Sequence, residues 1–352
     1  MSARESAVMK AWVLHGSRDL RLENRPRPAA AEGCAIIRVT RAGICGTDIH
    51  YYQDGRNGTF VVRMPFVMGH EFAGTVVEMG PGVTGLAAGD RVAVDPTIPC
   101  RNCAPCRQGR SNLCVNMRVF GSASSIPHLD GGFQEYVAVP VQCCHRLPES
   151  VDDAAGALME PLAVAAHAIM RADGVAGRRV LITGAGAVGQ CILTVARAMG
   201  ASRIAVSDPD PFARSFALEH GADLAVDPSL PDAGARLEEY ASGGFDVGFE
   251  ASGSLQALRL AIEACARGAT IVQIGNLPPE GALPANLIVS KELALLGSFR
   301  YVNVFEKVLD LIDGGRISVS HLVTHVFPLK ELPSAMETAA RKGGAIKVQV
   351  SV

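Results

Sequence analysis

The segment "RRVLITGAGAVGQCILTVARAMGASRIAVSDPD", residues 178–210, decides the fold of the second half of this 352-residue chain. Val180–Thr183 is a short run of aliphatic and β-branched residues, which favours a strand. The apolar periodicity predicts a helix over Val188–Met199, and a second strand is expected over Arg203–Ser207. A strand, a glycine-rich turn, a helix and a strand in this order are typical of a dinucleotide-binding unit.

Three glycines and one acid give this unit its chemistry. Gly184, Gly186 and Gly189 have the spacing G-x-G-x-x-G, which permits a tight turn, close approach of a pyrophosphate to the backbone, and packing of the helix on the strand. Asp208 follows the second strand, where it would accept hydrogen bonds from the adenosine ribose and repel a 2′-phosphate. The pattern therefore predicts an NAD-binding site, with NAD preferred over NADP.

The patterns on either side of this unit predict an α/β chain of two domains. Strand and helix patterns continue to alternate through "FDVGFEASG", "LRLAIEACARGATIVQIGN" and "KELALLGSFRY", which indicates a doubly wound parallel sheet. Residues 9–150 instead hold short strands divided by Gly and Pro, and the alternating tail "AIKVQVSV" is expected to return to them. We expect a mainly-β domain over residues 1–155 and 302–352, and a Rossmann domain over residues 156–301.

Composition excludes several classes of protein. The net charge of −2 gives no general attraction to nucleic acid or to a membrane surface. Neither an uninterrupted run of about 18 apolar residues nor a secretory signal pattern is evident in the sequence. Ten cysteines without an export signal indicate a reducing compartment, so we expect a cytoplasmic protein with a small-molecule substrate.

Four cysteines in "CRNCAPCRQGRSNLC" have the spacing C-x2-C-x2-C-x7-C and predict a metal loop. A bacterial ferredoxin cluster would have about three residues before its fourth cysteine and a proline after it. Tetrahedral Zn2+ fits four thiolates and leaves no position for substrate, so this zinc would be structural. An iron–sulfur cluster or a vacant site is the alternative. The expected ligands are Cys100, Cys103, Cys106 and Cys114.

A second metal site is expected at "GICGTDIHYY" and "MGHEFAG". Cys45, His70 and Glu71 offer a thiolate, an imidazole and a carboxylate, a mixture that leaves Zn2+ one free position for water or substrate. Glu160, an acid within the apolar stretch "LMEPLAV", could hydrogen-bond the zinc-bound water or act as a ligand. Each residue taken alone could also be an ordinary core side chain.

These motifs together resemble the zinc-dependent medium-chain dehydrogenase/reductase family over essentially the whole chain. The family motifs G-H-E and C-G-S/T-D match residues 69–71 and 45–48. The resemblance implies a GroES-like catalytic domain followed by a Rossmann domain, with the active site in the cleft. It also implies NAD and two zinc ions per chain, and a homotetramer.

Within the family, "CGTDIHYYQDGRNGTF", "MEPLAVAAHA" and "GSFRY" are similar to the polyol dehydrogenases, and "NMRVFGSASSIPHLDGGFQEY" and "RMPFVMGHEF" to their sugar-acid subgroup. Zinc ligands are then implied at Cys45, His70 and Glu71. Substrate contacts are implied at Tyr51, Glu160, Arg300 and Tyr301. Cofactor contacts are implied at Val188, Asp208, Ile274, Gly275, Asn276, Ser298 and Phe299. Polyol enzymes carry an arginine five residues beyond the ribose-binding acid, where this chain has Ala213 followed by Arg214.

The residues suggest a proton path and a carboxylate partner. Thr47 would take the substrate hydroxyl proton and pass it, through the cofactor ribose, to His50 near solvent; the alternative is a turn residue and an exposed imidazole. A sugar acid needs a cation for its carboxylate, and Arg300 is the first candidate and Arg118 the second, although either could be a surface charge. The alternative functions are a neutral-polyol dehydrogenase and a catalytically silent NAD-binding relative.

Overall fold

The computed structural model describes residues 7–341 and 343–352. Its strands are β1 (Val8–Gly16), β2 (Asp19–Pro26), β3 (Cys34–Gly43), β4 (Arg56–Asn57), β5 (Phe60–Val61), β6 (Phe66–Val67), β7 (Glu71–Met79), β8 (Arg91–Val94), β9 (Thr97–Ile98), β10 (Arg118–Val119), β11 (Tyr136–Pro140), β12 (Cys144–Arg146), β13 (Arg179–Thr183), β14 (Arg203–Ser207), β15 (Leu224–Val226), β16 (Phe245–Glu250), β17 (Cys265–Gln273), β18 (Ala294–Gly297), β19 (Val323–Pro328) and β20 (Lys347–Ser351). Its helices are α1 (Gly46–Asp54), α2 (Ala104–Arg107), α3 (Asp153–Ala157), α4 (Met159–Arg171), α5 (Ala187–Ala198), α6 (Pro211–Glu219), α7 (Ala233–Tyr240), α8 (Leu255–Ala264), α9 (Ala285–Ser290), α10 (Phe305–Asp313) and α11 (Leu332–Ala340).

The dinucleotide-type sheet has the strand order β15-β14-β13-β16-β17-β18, and its strands pair in parallel. Its central strands are aliphatic on both faces because helices cover both, and Val180, Leu181 and Ile182 are fully buried. From β13 the chain continues outward to β14 and β15 on one side, and then to β16, β17 and β18 on the other. A reversal of strand order of this kind leaves a crevice at the carboxyl ends of β13 and its neighbours. The expected doubly wound Rossmann sheet is confirmed.

The mainly-β part is built around a mixed sheet of order β12-β8-β7-β3-β20-β19, with β11 also paired to β3. The C-terminal strand β20 pairs antiparallel with β3 and parallel with β19, so the alternating tail lies inside this sheet. A second apolar core packs here, separate from the core of the parallel sheet. The GroES-like character expected of this part is confirmed.

Three local features bring chemistry to the cleft between the two sheets. The helix α1 begins directly after Cys45, which occupies its N-cap position. The strand β7 begins at Glu71, one residue after His70. The helix α4 carries Glu160 in its first turn.

Among the described residues, the longest and most apolar helices still fall short of a membrane span.

Candidate active site

A large cavity of about 1580 Å³ is lined by residues from both domains. Its lining includes the predicted metal ligands and residues at the carboxyl ends of the parallel strands. Predicted site residues along its wall are Cys45, Thr47, His50, Tyr51, His70, Glu71, Glu160, Gly184, Gly186, Val188, Asp208, Ile274, Gly275, Asn276, Ser298, Phe299 and Arg300. A cavity of this size, lined by both sets of residues, has room for a dinucleotide and a small substrate.

Cys45, His70 and Glu71, which we call the mixed ligand set, come together in the wall of this cavity. Donor atoms of Cys45, His70 and Glu71 all lie within 4.8 Å of one another. Gly43 leaves room for this arrangement, because a Cβ there would come within 2.1 Å of the Glu71 carboxylate oxygen. Residues from a helix N-cap, a loop and a strand therefore meet at one point, as the sequence motifs predicted.

Asp48 fixes the two neighbouring ligands from behind. Its Oδ2 accepts from the Cys45 backbone N–H at 2.9 Å, and its Oδ1 accepts from the Gly69 N–H at 3.3 Å. The same Oδ1 lies 3.7 Å from His70 Nδ1. Burial opposes protonation of His70, but the charges of Asp48 and Cys45 outweigh it and raise its pKa well above the usual value. The site is thus strongly negative and favours a cation.

Lys347, at the start of β20, neutralises part of this charge. Its Nζ donates to Glu71 Oε1 at 2.7 Å and to the Ile44 carbonyl at 3.1 Å, and lies 2.6 Å from Glu71 Oε2. Glu71 Oε2 and His70 Nδ1 are nevertheless buried without a well-directed hydrogen bond. A thiolate, an imidazole that gives up its extra proton when metal binds, and a carboxylate oxygen fit the ligand preferences of Zn2+.

Glu160 lies beside this set but outside the 4.8 Å group. Burial raises the pKa of its carboxyl to about 7, with the Glu71 charge acting in the same direction and His70 opposing it. At neutral pH the metal-free protein therefore holds this acid partly protonated, able to donate or accept a hydrogen bond. Direct ligation by Glu160 stays a prediction.

The four cysteines of the loop also converge. The sulfur atoms of Cys100, Cys103, Cys106 and Cys114 lie within 4.8 Å of one another, and those of Cys103 and Cys106 are 3.4 Å apart. Four sulfurs around Zn2+ at about 2.3 Å would be separated by about 3.8 Å, close to this spacing. Backbone N–H groups donate to the sulfurs of Cys100 and Cys114, which is the environment that a thiolate ligand needs.

The glycine turn leaves space for a pyrophosphate. A Cβ at Gly184 would come within 2.7 Å of the Ser252 nitrogen, and one at Gly189 within 1.9 Å of the Gly184 carbonyl. Gly186, the N-cap residue of α5, instead faces open space in the cavity wall. Two glycines thus allow close packing, and the third keeps the helix N-terminus accessible to an anion.

Asp208 lines the cavity, and Arg214 bonds its backbone. Asp208 accepts from the Ala185 N–H at 2.7 Å and the Asp210 N–H at 2.8 Å. Arg214 donates to the Asp208 carbonyl at 2.7 Å and forms an ion pair with Asp227 at 3.2 Å. Arg214 is therefore occupied within the protein, while the acid remains on the cavity wall.

The remaining predicted residues divide into those at the cavity and those away from it. Tyr51 lines it, with its oxygen 3.1 Å from Ser122 Oγ. The described lining does not include Tyr301, whose hydroxyl donates to Asp95 at 2.9 Å, so its substrate contact stays a prediction that the cavity does not support. Arg118 is exposed on β10 and also lies away from the lining.

Two polar residues at the site were missed by sequence reasoning. Lys347 is a cation at a buried position of an alternating strand, a signal that could have marked a buried partner acid. Asn57 bonds Thr47 across a short hairpin, and its sequence context gives no such signal.

Comparison with known proteins agrees with this geometry. Residues 31–149 match the family described as alcohol dehydrogenase GroES-like domain, and residues 187–314 match zinc-binding dehydrogenase. The chain is 36% identical over 315 residues to L-idonate 5-dehydrogenase (NAD(P)(+)) of Escherichia coli strain K12, covering 90% of this chain and 91% of that protein. The chain belongs to the zinc-type alcohol dehydrogenase family.

Two further comparisons cover nearly the whole molecule. "Probable D-xylulose reductase A" of Aspergillus terreus is 37% identical over 353 residues, covering 98% of this chain and 99% of that protein. The crystal structure of L-idonate 5-dehydrogenase from Escherichia coli K-12 superposes with a TM-score of 0.92 at 34% identity, covering 98% of each chain. This zinc-type dehydrogenase is thus similar both to an enzyme named for a sugar acid and to one named for a ketose.

Proposed function

We propose that this dehydrogenase interconverts L-idonate and 5-keto-D-gluconate with NAD. The carrying observation is Arg300, which lines the same cavity as the mixed ligand set. Its guanidinium stacks over the Phe299 ring at 4.7 Å, and no carboxylate among the described residues forms an ion pair with it. A half-buried cation without an anionic partner favours a substrate that brings its own carboxylate.

The environment of Arg300 supports the same substrate class. Burial lowers the pKa of its guanidinium. Arginine side chains nevertheless stay charged in proteins, so Arg300 keeps its positive charge. Its backbone has φ 53°, a left-handed conformation that fixes the start of the side chain. The stretches "NMRVFGSASSIPHLDGGFQEY" and "RMPFVMGHEF" resemble L-idonate 5-dehydrogenase. A planar guanidinium held in this way suits bidentate binding of a terminal carboxylate.

Residues of the same cavity wall can accept and transfer the proton of the substrate hydroxyl. Oxidation removes a hydride and a proton from the secondary alcohol, giving a ketone. Zinc at Cys45, His70 and Glu71 supplies a Lewis acid for the hydroxyl when bound, and the nicotinamide supplies the hydride acceptor. Thr47 would accept the substrate hydroxyl proton as its own hydroxyl proton passes on toward His50, so that the threonine stays neutral. His50, whose side chain is 56% exposed, releases a proton to water.

The cofactor is proposed to be NAD rather than NADP. Asp208 would accept hydrogen bonds from the adenosine ribose and repel a 2′-phosphate, and Arg214 is already paired with Asp227. The Escherichia coli relative is named for both cofactors, so the ratio for this enzyme is a quantity to measure.

A neutral-polyol dehydrogenase is the second candidate, favoured by the 37% identity to a D-xylulose reductase. Kinetics on L-idonate, sorbitol and xylitol separate the two. We expect kcat/KM to be highest for L-idonate, and Arg300→Lys to reduce it by roughly 10- to 100-fold, because lysine cannot form the planar bidentate contact. Activity on the neutral polyols should fall less. Faster wild-type oxidation of xylitol or sorbitol would refute the sugar-acid assignment.

A further inference from the structure

A chain of three polar side chains crosses the cleft beside the mixed ligand set. The amide nitrogen of Asn276, after β17 of the parallel sheet, donates to Asn57 Oδ1 at 3.3 Å. The amide nitrogen of Asn57 in turn donates to Thr47 Oγ1 at 3.1 Å. The residue expected to move the substrate proton is thereby connected, through one side chain, to the loop expected to hold the nicotinamide.

The direction of these bonds determines what Thr47 can do. A threonine hydroxyl has one proton to donate and two acceptor positions. Because Asn57 donates to Thr47, the Thr47 proton is left for a different acceptor and one lone pair remains for the substrate hydroxyl. If the Asn57 amide were reversed, its oxygen would take the Thr47 proton instead. In the orientation shown, the Asn57 oxygen accepts from Asn276 while its nitrogen donates to Thr47, and a reversal of Asn57 would require the Asn276 amide to reverse as well.

The hairpin that carries Asn57 is held in shape independently of this chain. The two-residue strands β4 and β5 pair with Asn57 opposite Phe60. Arg56 donates from Nε and Nη2 to the Gly58 carbonyl at 3.0 and 2.8 Å, which ties down the hairpin tip. Arg56 is exposed and does not belong to the described cavity lining, so it offers a control for hairpin shape alone.

We propose that Asn57 is a positioning residue that orients the Thr47 hydroxyl for proton transfer and makes this orientation depend on the cofactor loop. The proposal rests on the proposed role of Thr47. Asn57 acts by donating to Thr47 Oγ1, which stabilises the oxygen as it loses its proton, and by accepting from Asn276, which keeps the amide in the working orientation.

Two substitutions of Asn57 separate orientation from shape. Asn57→Leu has a similar size and removes both hydrogen bonds. We expect it to slow single-turnover hydride transfer by about 5-fold, because the Thr47 oxygen loses a donor. Asn57→Asp is closer in shape but presents an acceptor to Thr47. It should capture the Thr47 proton and slow the step more, by roughly 10- to 100-fold.

Controls decide between positioning and simple damage to the hairpin. Arg56→Ala should leave the rate and the pH profile at wild-type values. In a Thr47→Ala background, Asn57→Leu should add almost nothing, because its effect acts through the hydroxyl that has been removed. Three results would each overturn the positioning role. The first is a smaller loss of rate in Asn57→Asp than in Asn57→Leu, and the second is an Arg56→Ala variant that is slowed as much as either. The third is an Asn57→Leu effect that adds in full to that of Thr47→Ala.

Failure of the underlying function gives a different pattern. If Thr47→Ala alone retains wild-type turnover, the proton path itself is wrong, and the positioning role falls with it. If Thr47→Ala is severely slowed while the Asn57 variants behave as shape changes, the proton path stands and only the positioning role is overturned.

Discussion

Lys347→Met removes the cation that partners Glu71 in the metal-free protein. The ammonium and the carboxylate are 2.6 Å apart, and their side chains are only 3% and 1% exposed. Removal of one member of a buried ion pair leaves the other charge without compensation, at a cost of about 3–5 kcal/mol. We therefore expect the free energy of unfolding of the chelator-treated enzyme to fall by about that amount.

Zinc should reverse part of this loss. A divalent cation at the mixed ligand set gives Glu71 another positive partner, so zinc-loaded Lys347→Met should be destabilised less than the metal-free variant. The matched control is Glu71→Gln/Lys347→Met, which buries no charge at this pair and should unfold close to the wild type without metal. High salt should change these differences little because the pair is buried.

The assay is urea unfolding followed by fluorescence or circular dichroism, with and without zinc, for the wild type and both variants. A metal-free loss below about 1 kcal/mol for Lys347→Met would show that the pair carries little net energy. An equal loss with and without zinc would contradict the assignment of Glu71 as a ligand, since the metal would then not replace the missing cation.

Three further outcomes are expected. Cys45→Ser should abolish turnover while leaving about one zinc per folded chain in metal analysis, because the four-cysteine site binds independently; iron, or a single zinc in the wild type, would contradict two zinc sites. Asp208→Ala should narrow the kcat/KM preference for NAD over NADP by roughly 10- to 100-fold, and equal use of both cofactors by the wild type would contradict the role of Asp208. Burial, and then the His220 charge, lower the pKa of His321 from 6.5 to about 4, so its contribution to stability is present above about pH 6.5 and is lost as the pH falls through 4. The Tm of His321→Asn should therefore change less with pH across this range than the Tm of the wild type. An equal change of Tm with pH in both proteins would refute the lowered pKa of His321.

Local spacing was enough to predict the parts of the site that lie close together in sequence. The glycine turn and the four-cysteine loop each lie within about twenty residues, so their chemistry follows from spacing alone. The predicted strand Arg203–Ser207 agrees with the observed bounds, and the helix expected over Val188–Met199 begins and ends one residue earlier, at Ala187–Ala198. Helix ends of this kind depend on capping geometry, which periodicity does not specify.

Pairings between distant strands were not predictable in the same way. The contact between Glu71 and Lys347 joins residues 276 apart in the chain and depends on the register of β20 against its neighbours. The bond between Asn57 and Asn276 depends on how the two sheets face each other across the cleft. A single sequence shows a buried lysine or a turn asparagine, but its partner is fixed only by the tertiary arrangement.

The four-cysteine loop also has a connection that its spacing does not reveal. Asn112, two residues before Cys114, is buried and donates to the Phe299 carbonyl at 3.0 Å. That carbonyl immediately precedes Arg300, whose left-handed backbone and stacking on Phe299 set the direction of the guanidinium. All four positions of a metal in this loop would be taken by cysteines, which leaves none for substrate. The loop nevertheless holds the backbone next to Arg300, the residue proposed to bind the substrate carboxylate. This hydrogen bond therefore links the four-cysteine loop to the residue proposed to set substrate specificity.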